Sequence, residues 1–284
     1  MLEFQPSHTA LATAYLRAAH QLLDAPPRVL EDPLALALLG ADAAARIRAE
    51  EARYRSPGAQ QLRARVVLRA RYAEDRLADA VRRGIVQYVV LGAGLDTFAL
   101  RQPAWAAPLR IVEIDHPNTQ GYKRELLARA RIAVPANTSF AAIDFERESL
   151  LDGLARHGVL RGQKTFFSWL GVTMYLAEAA IDSALQSMGA FAAGSELVLT
   201  FLEPRDRGPG EAASPPSPLA GRVAAAGEPF LSYLSADNIA AKLRQAGFAS
   251  VQFLAPEEAR ALYFSPQSPD LLPPARTGLA HAIR

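Results

Sequence analysis

Apolar residues recur along this chain with two different periods, and the change between them divides it. Up to residue 84 the period is helical. Ser7 can cap a helix over 7–24, with Leu11, Tyr15, Ala18 and Leu22 at helical spacing and Pro26-Pro27 as its stop. Asp32-Pro33 predicts the cap and first turn of a second helix that ends near Gly40. Residues 41–55 continue as helix, and a long helix over 59–83 runs into Gly84. Beyond that point short apolar runs take over, at 87–91, 110–115, 139–143, 164–170 and 196–202. Helical segments over 119–132, 149–156, 177–193 and 235–247 separate or follow them. Strands alternating with helices predict an α/β fold with a mostly parallel sheet. Two further runs, 250–254 and 278–283, are closing strands that a hairpin-like end would pair antiparallel. The Pro/Gly-rich stretch 205–228 reads as a long loop or lid.

The run Gln87 to Leu91 ends abruptly in Gly92-Ala93-Gly94. A buried parallel strand reads as a continuous apolar run, and glycines at its end let the backbone turn and approach a ligand. In open α/β sheets nucleotides bind at that edge. The third glycine of the dinucleotide fingerprint would fall at Thr97, which counts against NAD. Asp115 closes the next strand 21 positions after Gly94, where an acidic side chain can accept hydrogen bonds from both ribose hydroxyls. The alternative is that it caps the helix that follows Pro117. Glu113, two residues earlier on the same face, is a second candidate for the ribose. At the tip of the third strand, Asp144 could accept an adenine amino group and the Phe145 amide could meet a ring nitrogen; Asp144 could also be a helix cap.

On the helix over 59–83, Leu62, Val66, Ala73, Leu77 and Ala80 form one stripe, and Arg69 lies inside it while Arg71 points to solvent. A guanidinium on a core-facing stripe needs an anion. An internal carboxylate or a ligand's carboxylate would serve, and snorkelling is a third way out.

Composition narrows the field. The 284 residues suit one large α/β domain with elaborations, or two small ones. There is no cysteine, so disulfides, thiolate metal sites and cysteine catalysis are excluded, and the five histidines lack metal-ligand spacing. A net charge of +2, with acidic residues interspersed among the arginines, argues against nucleic acid as a partner. No apolar run is long enough for a membrane span and no signal-peptide pattern opens the chain, so a cytoplasmic protein is expected.

Three stretches together carry a resemblance: Val89 to Thr97, Val112 to Pro117 with Lys123-Arg124, and Ser168 to Leu176. They resemble the leucine carboxyl methyltransferase family, and most closely its bacterial branch of S-adenosylmethionine-dependent O-methyltransferases. The resemblance implies a class I methyltransferase, Rossmann-like sheet of seven strands, the last inserted antiparallel. Residues 1–84 would be an N-terminal helical cover and residues 85–284 the S-adenosylmethionine-binding domain. It implies that Gly92, Ala93 and Gly94 pack against the methionine part of the cofactor, and that Asp96 after them is also cofactor-binding. Asp115 would take the ribose, and Asp144 and Phe145 the adenine. The stretch Arg69 to Asp75 resembles the family's Arg-Thr-Arg-x-x-Asp-Asp helix, in which one arginine grips the cofactor carboxylate; the stripe selects Arg69. Leu170 borders cofactor and substrate where many members carry Glu, and Ala177 replaces a common Ser or Thr cap.

Methyl transfer from a sulfonium asks for alignment and exclusion of water. A carboxylate acceptor needs no general base, a phenol or alcohol wants one, and the sequence shows none. Tyr175, just past strand four, is the candidate on the acceptor side, or else a packed aromatic with a satisfied hydroxyl. His116 reads as structural. The expectation is a small-molecule O-methyltransferase using S-adenosyl-L-methionine. An NAD-dependent oxidoreductase and a non-catalytic cofactor-binding or interaction protein are the competing classes.

Overall fold

A computed structural model describes residues 7–143, 148–204, 218–264 and 270–284. The chain opens with helices α1 (His8–Leu23), α2 (Leu34–Leu39), α3 (Ala43–Ala49), α4 (Glu51–Tyr54) and α5 (Pro57–Arg82). The Ser7 hydroxyl caps α1, accepting from the Ala10 amide at 3.0 Å. The small residues Ala18 and Ala19 of α1 let it pack closely on Ala35 of α2 and Ile47 of α3. A buried ion-pair network ties these helices to α5. Arg63 grips Asp24 with two hydrogen bonds of 2.7 Å, and His20 Nδ1 meets the same carboxylate at 2.7 Å. Asp32 does not cap α2 with its side chain as its position predicts. Pro33 stands at the cap, and the Asp32 carboxylate turns inward to Arg17, 3.0 Å away.

After α5 come β1 (Gln87–Leu91), β2 (Arg110–Asp115), α6 (Pro117–Ala130), β3 (Thr138–Ala142), α7 (Leu150–Arg156), β4 (Thr165–Trp169), α8 (Glu178–Gly189) and β5 (Glu196–Thr200). The described chain closes with α9 (Pro218–Ala225), α10 (Ala236–Gln245), β6 (Ser250–Phe253), α11 (Pro256–Tyr263) and β7 (Leu279–Ile283). The strands form one sheet of order β3-β2-β1-β4-β5-β7-β6. β7 lies between β5 and β6, antiparallel to both, and the other pairings are parallel. This is the seven-stranded arrangement expected, with β7 as the inserted strand.

Side chains alternate across the pleat and so build two cores. Tyr88, Val90, Ile111, Phe166 and Val198 face Ala64, Val67, Leu68 and Leu77 of α5. Val89, Leu91, Val112, Phe167, Trp169 and Leu197 face Ile181, Leu185 and Met188 of α8 and Leu243 of α10. Helix α5 therefore shares a core with the sheet, which fixes Arg69 relative to the strand ends.

The turn after the glycine loop, Phe98–Leu100, is a 3-10 helix. Part of the stretch that reads as loop, 218–225, is helix α9 and 226–228 is not helical; the remainder, 205–217, lies outside the described residues. Helix α11, starting at Pro256 as its first residue, has no counterpart in the sequence reading. Among the described residues no helix is long and apolar enough to cross a membrane, and no cluster of His, Asp or Glu could hold a metal.

Candidate active site

The glycine loop leaves β1 between β2 and β4, at the point where the strand order reverses. Gly92 has φ +64°, and a Cβ there would lie 2.3 Å from Val172 Cγ2, so both the backbone and the space demand glycine. Ala93 N donates to Ile114 O at 2.9 Å, which ties the loop to β2. Gly94, φ +52°, lies under α1: a Cβ there would be 3.2 Å from that of Ala10.

Asp115 closes β2 beneath this loop. Its Oδ2 accepts from Gly94 N at 2.5 Å and its Oδ1 from His116 N at 2.7 Å. Burial pushes its pKa up, and these two amides hold it back. The cap of α6 is His116, whose Nδ1 accepts from Asn118 N at 3.3 Å, and Asp115 does not fill that role. Asp96 Oδ1 accepts from Phe98 N at 2.7 Å. Burial alone would raise its pKa, but Arg17 and Lys123 together with that amide hold it below the usual carboxylate range.

Glu113 is corrected by the structure as a second ribose candidate. It lies one pleat inside the edge, 1 % exposed, and is ion-paired with the equally buried Lys123. Burial raises its pKa against the pull of that lysine, and its Oε1 has no hydrogen-bond partner. Lys123 also donates to the Asp96 carbonyl at 2.6 Å, so the pair braces the loop from below.

On the other side of the loop, the Arg69 guanidinium packs over Gly171, two residues past the end of β4. Among the described residues no hydrogen bond or ion pair holds it. Burial lowers its pKa to about 10; Tyr175 and Asp96 pull it upward and Arg17 downward. Leu170 is half-buried against the α5 core and offers no polar group here. The Tyr175 ring packs on Phe230 at 5.4 Å and its hydroxyl is hydrogen-bonded to Thr9. Burial raises its pKa, so it is a protonated phenol at neutral pH and no ready base. Gly92, Ala93, Gly94, Asp96, Asp115, Arg69 and Tyr175 thus share one sheet edge. Asp144 and Phe145 lie outside the described residues.

Several side chains that shape this edge escaped the sequence reading. Arg17 of α1 bonds the Leu95 carbonyl and Asp32, fastening α1 to the loop. Arg101 joins Glu74 of α5 to the turn after the loop. The stripe argument used for Arg69 would have found Arg17, which follows Ala14 and precedes Ala18 on a buried face, and Lys123, between Thr119 and Leu127.

A sheet of this order, with an antiparallel β7 and a glycine loop after β1, is the class I S-adenosylmethionine-dependent methyltransferase architecture. The crystal structure of a "putative methyltransferase from Thermobifida fusca YX" has the same fold, with a TM-score of 0.58 over 99% of this chain and 95% of that one, at 20% identity. The chain belongs to the leucine carboxyl methyltransferase family, whose sequence profile matches residues 10–189. "Putative S-adenosyl-L-methionine-dependent methyltransferase YktD" of Bacillus subtilis is 30% identical over 225 residues, 79% of this chain and 74% of the relative. "Putative S-adenosyl-L-methionine-dependent methyltransferase FRAAL3718" of Frankia alni is 32% identical over 199 residues, 68% of each chain. S-adenosyl-L-methionine is the cofactor of this group. The edge fits it chemically: a guanidinium with no ion pair among the described residues faces one end, a carboxylate the other, and a glycine loop lies between them.

Proposed function

We propose that this protein is an S-adenosyl-L-methionine-dependent O-methyltransferase that modifies a carboxylate or hydroxyl of a small molecule. The observation that carries the reading is Arg69, a half-buried guanidinium that meets no hydrogen-bonded anion among the described residues, set beside a glycine loop whose neighbouring strand ends in Asp115. Arg69 would take the cofactor carboxylate, Gly92 to Gly94 would admit its methionine part, and Asp115 would accept the ribose hydroxyls. When bound, the cofactor supplies an electrophilic methyl group on a sulfonium. The chain's own contribution is alignment and a dry site. Residues 1–84 act in this reading as the cover of the methyltransferase domain, 85–284.

Of the two acceptor types, the carboxylate suits the edge better. Tyr175 is held protonated, and a carboxylate is already ionised at neutral pH. The test is transfer of labelled methyl from S-adenosylmethionine to a panel of carboxylic acids and phenols, followed by mild base. A base-labile ester product supports the carboxylate and a base-stable ether the hydroxyl. Cofactor uptake with transfer to neither class would favour a non-catalytic binding protein.

A further inference from the structure

The first turn of a helix leaves amides without intrahelical partners. In α1 these are taken by a carboxylate more than two hundred residues away. His8 N donates to Glu228 Oε1 at 2.8 Å, and Thr9 N to Oε2 at 3.1 Å. The Ser7 and Thr9 hydroxyls donate to Oε2 at 3.2 and 2.5 Å. A carboxylate at a helix N-terminus is favoured by the helix dipole, and these bonds are charge-assisted. Glu228 sits in the turn that closes α9, its amide bonded to Val223 O at 2.9 Å.

The same turn of α1 roofs the site. Ser7 N donates to Thr119 Oγ1 at 3.2 Å, in the first turn of α6. Ala10 lies over Gly94, and Thr9 holds the Tyr175 hydroxyl. Just beyond Glu228 the chain is pinned to the segment after β4: Leu231 N donates to Met174 O at 2.7 Å, and Phe230 stacks on Tyr175. One carboxylate therefore joins the roof over the glycine loop to the strip beside Tyr175.

We propose that Glu228 is the latch of this roof, a positioning residue that holds the first turn of α1 closed over the glycine loop and sets the rate of cofactor exchange. The inference rests on the cofactor reading above. Its test is stopped-flow displacement of S-adenosylhomocysteine from the full chain, wild type against Glu228→Ala and Glu228→Gln. Losing a helix cap on this scale is expected to speed dissociation about tenfold in the alanine variant, and less in the glutamine variant, which keeps one acceptor oxygen. In the wild-type complex the His8 and Thr9 amides should be protected from hydrogen exchange, a readout that does not depend on a variant folding. Unchanged dissociation in both variants, or unprotected His8 and Thr9 amides in the wild-type complex, would overturn the latch while leaving the cofactor reading intact. Failure of the wild type to take up S-adenosylhomocysteine would remove that reading and the latch with it.

Discussion

The guanidinium of Arg69 rests directly on Gly171: a Cβ at residue 171 would lie 2.3 Å from Nη1 and 2.8 Å from Cζ. Gly171 also has φ +77°, a conformation that side chains rarely adopt. The glycine after β4 thus makes room for the cation that faces the glycine loop after β1. Gly171→Ala is expected to displace Arg69 and to weaken S-adenosylhomocysteine binding about tenfold or more, the equivalent of one lost charge-assisted hydrogen bond. Calorimetric affinity of the folded variant checks this.

Arg69 is expected to cost the ligand-free protein stability. Its lowered pKa means that the charge is disfavoured by folding, a cost present at neutral pH and relieved only as pH rises through about 10. Arg69→Met is expected to raise the Tm of the free protein by about 2 °C, roughly 1 kcal/mol, while abolishing measurable cofactor binding. Thermal scans with and without S-adenosylhomocysteine read both effects.

Asp115 predicts a pH dependence. Ribose hydroxyls donate to its ionised form, so binding favours that form. Its pKa lies above the ordinary value because burial outweighs its two amide bonds. Affinity should therefore fall as pH drops, starting above the ordinary carboxylate pKa of about 3.9. Asp115→Asn should bind more weakly with a flat profile, and titrations across that range distinguish the two.

Lys123 and Glu113 form a fully buried pair under the loop. Removing only the lysine strands a carboxylate in the core. Lys123→Met is expected to cost about 3–5 kcal/mol, and adding Glu113→Gln to return much of it. Because Glu113 has a raised pKa, the single variant should lose less stability as pH falls and the carboxylate protonates. Urea unfolding of both variants at two pH values tests the coupling.

Much of this architecture was legible in the chain because strands buried on both faces read as apolar runs that glycine or charge interrupts. β1 ends at Gly92, β2 at Asp115, and β7 was recognisable as a closing strand. Arg69 was legible because a charge in an apolar stripe conflicts with periodicity. Glu113 misled because its face was evident but its depth was not: the partner that buries it, Lys123, comes from another element, α6. Asp32 misled in the same way, since local cap chemistry lost to a distant arginine, Arg17. The α9 helix was hidden by a neighbourhood rich in proline and glycine, and Glu228 by the 220 positions that separate it from His8.

The central claim is that the edge formed by Arg69, the glycine loop and Asp115 binds an S-adenosyl ligand. Calorimetric titration of the purified protein with S-adenosylhomocysteine, with NAD as control, tests it most directly. Micromolar binding of S-adenosylhomocysteine, none of NAD, and loss of the first in Arg69→Met but not in Arg71→Ala is the predicted result. No binding of S-adenosylhomocysteine by the folded wild type, or equal loss in the two arginine variants, would contradict it.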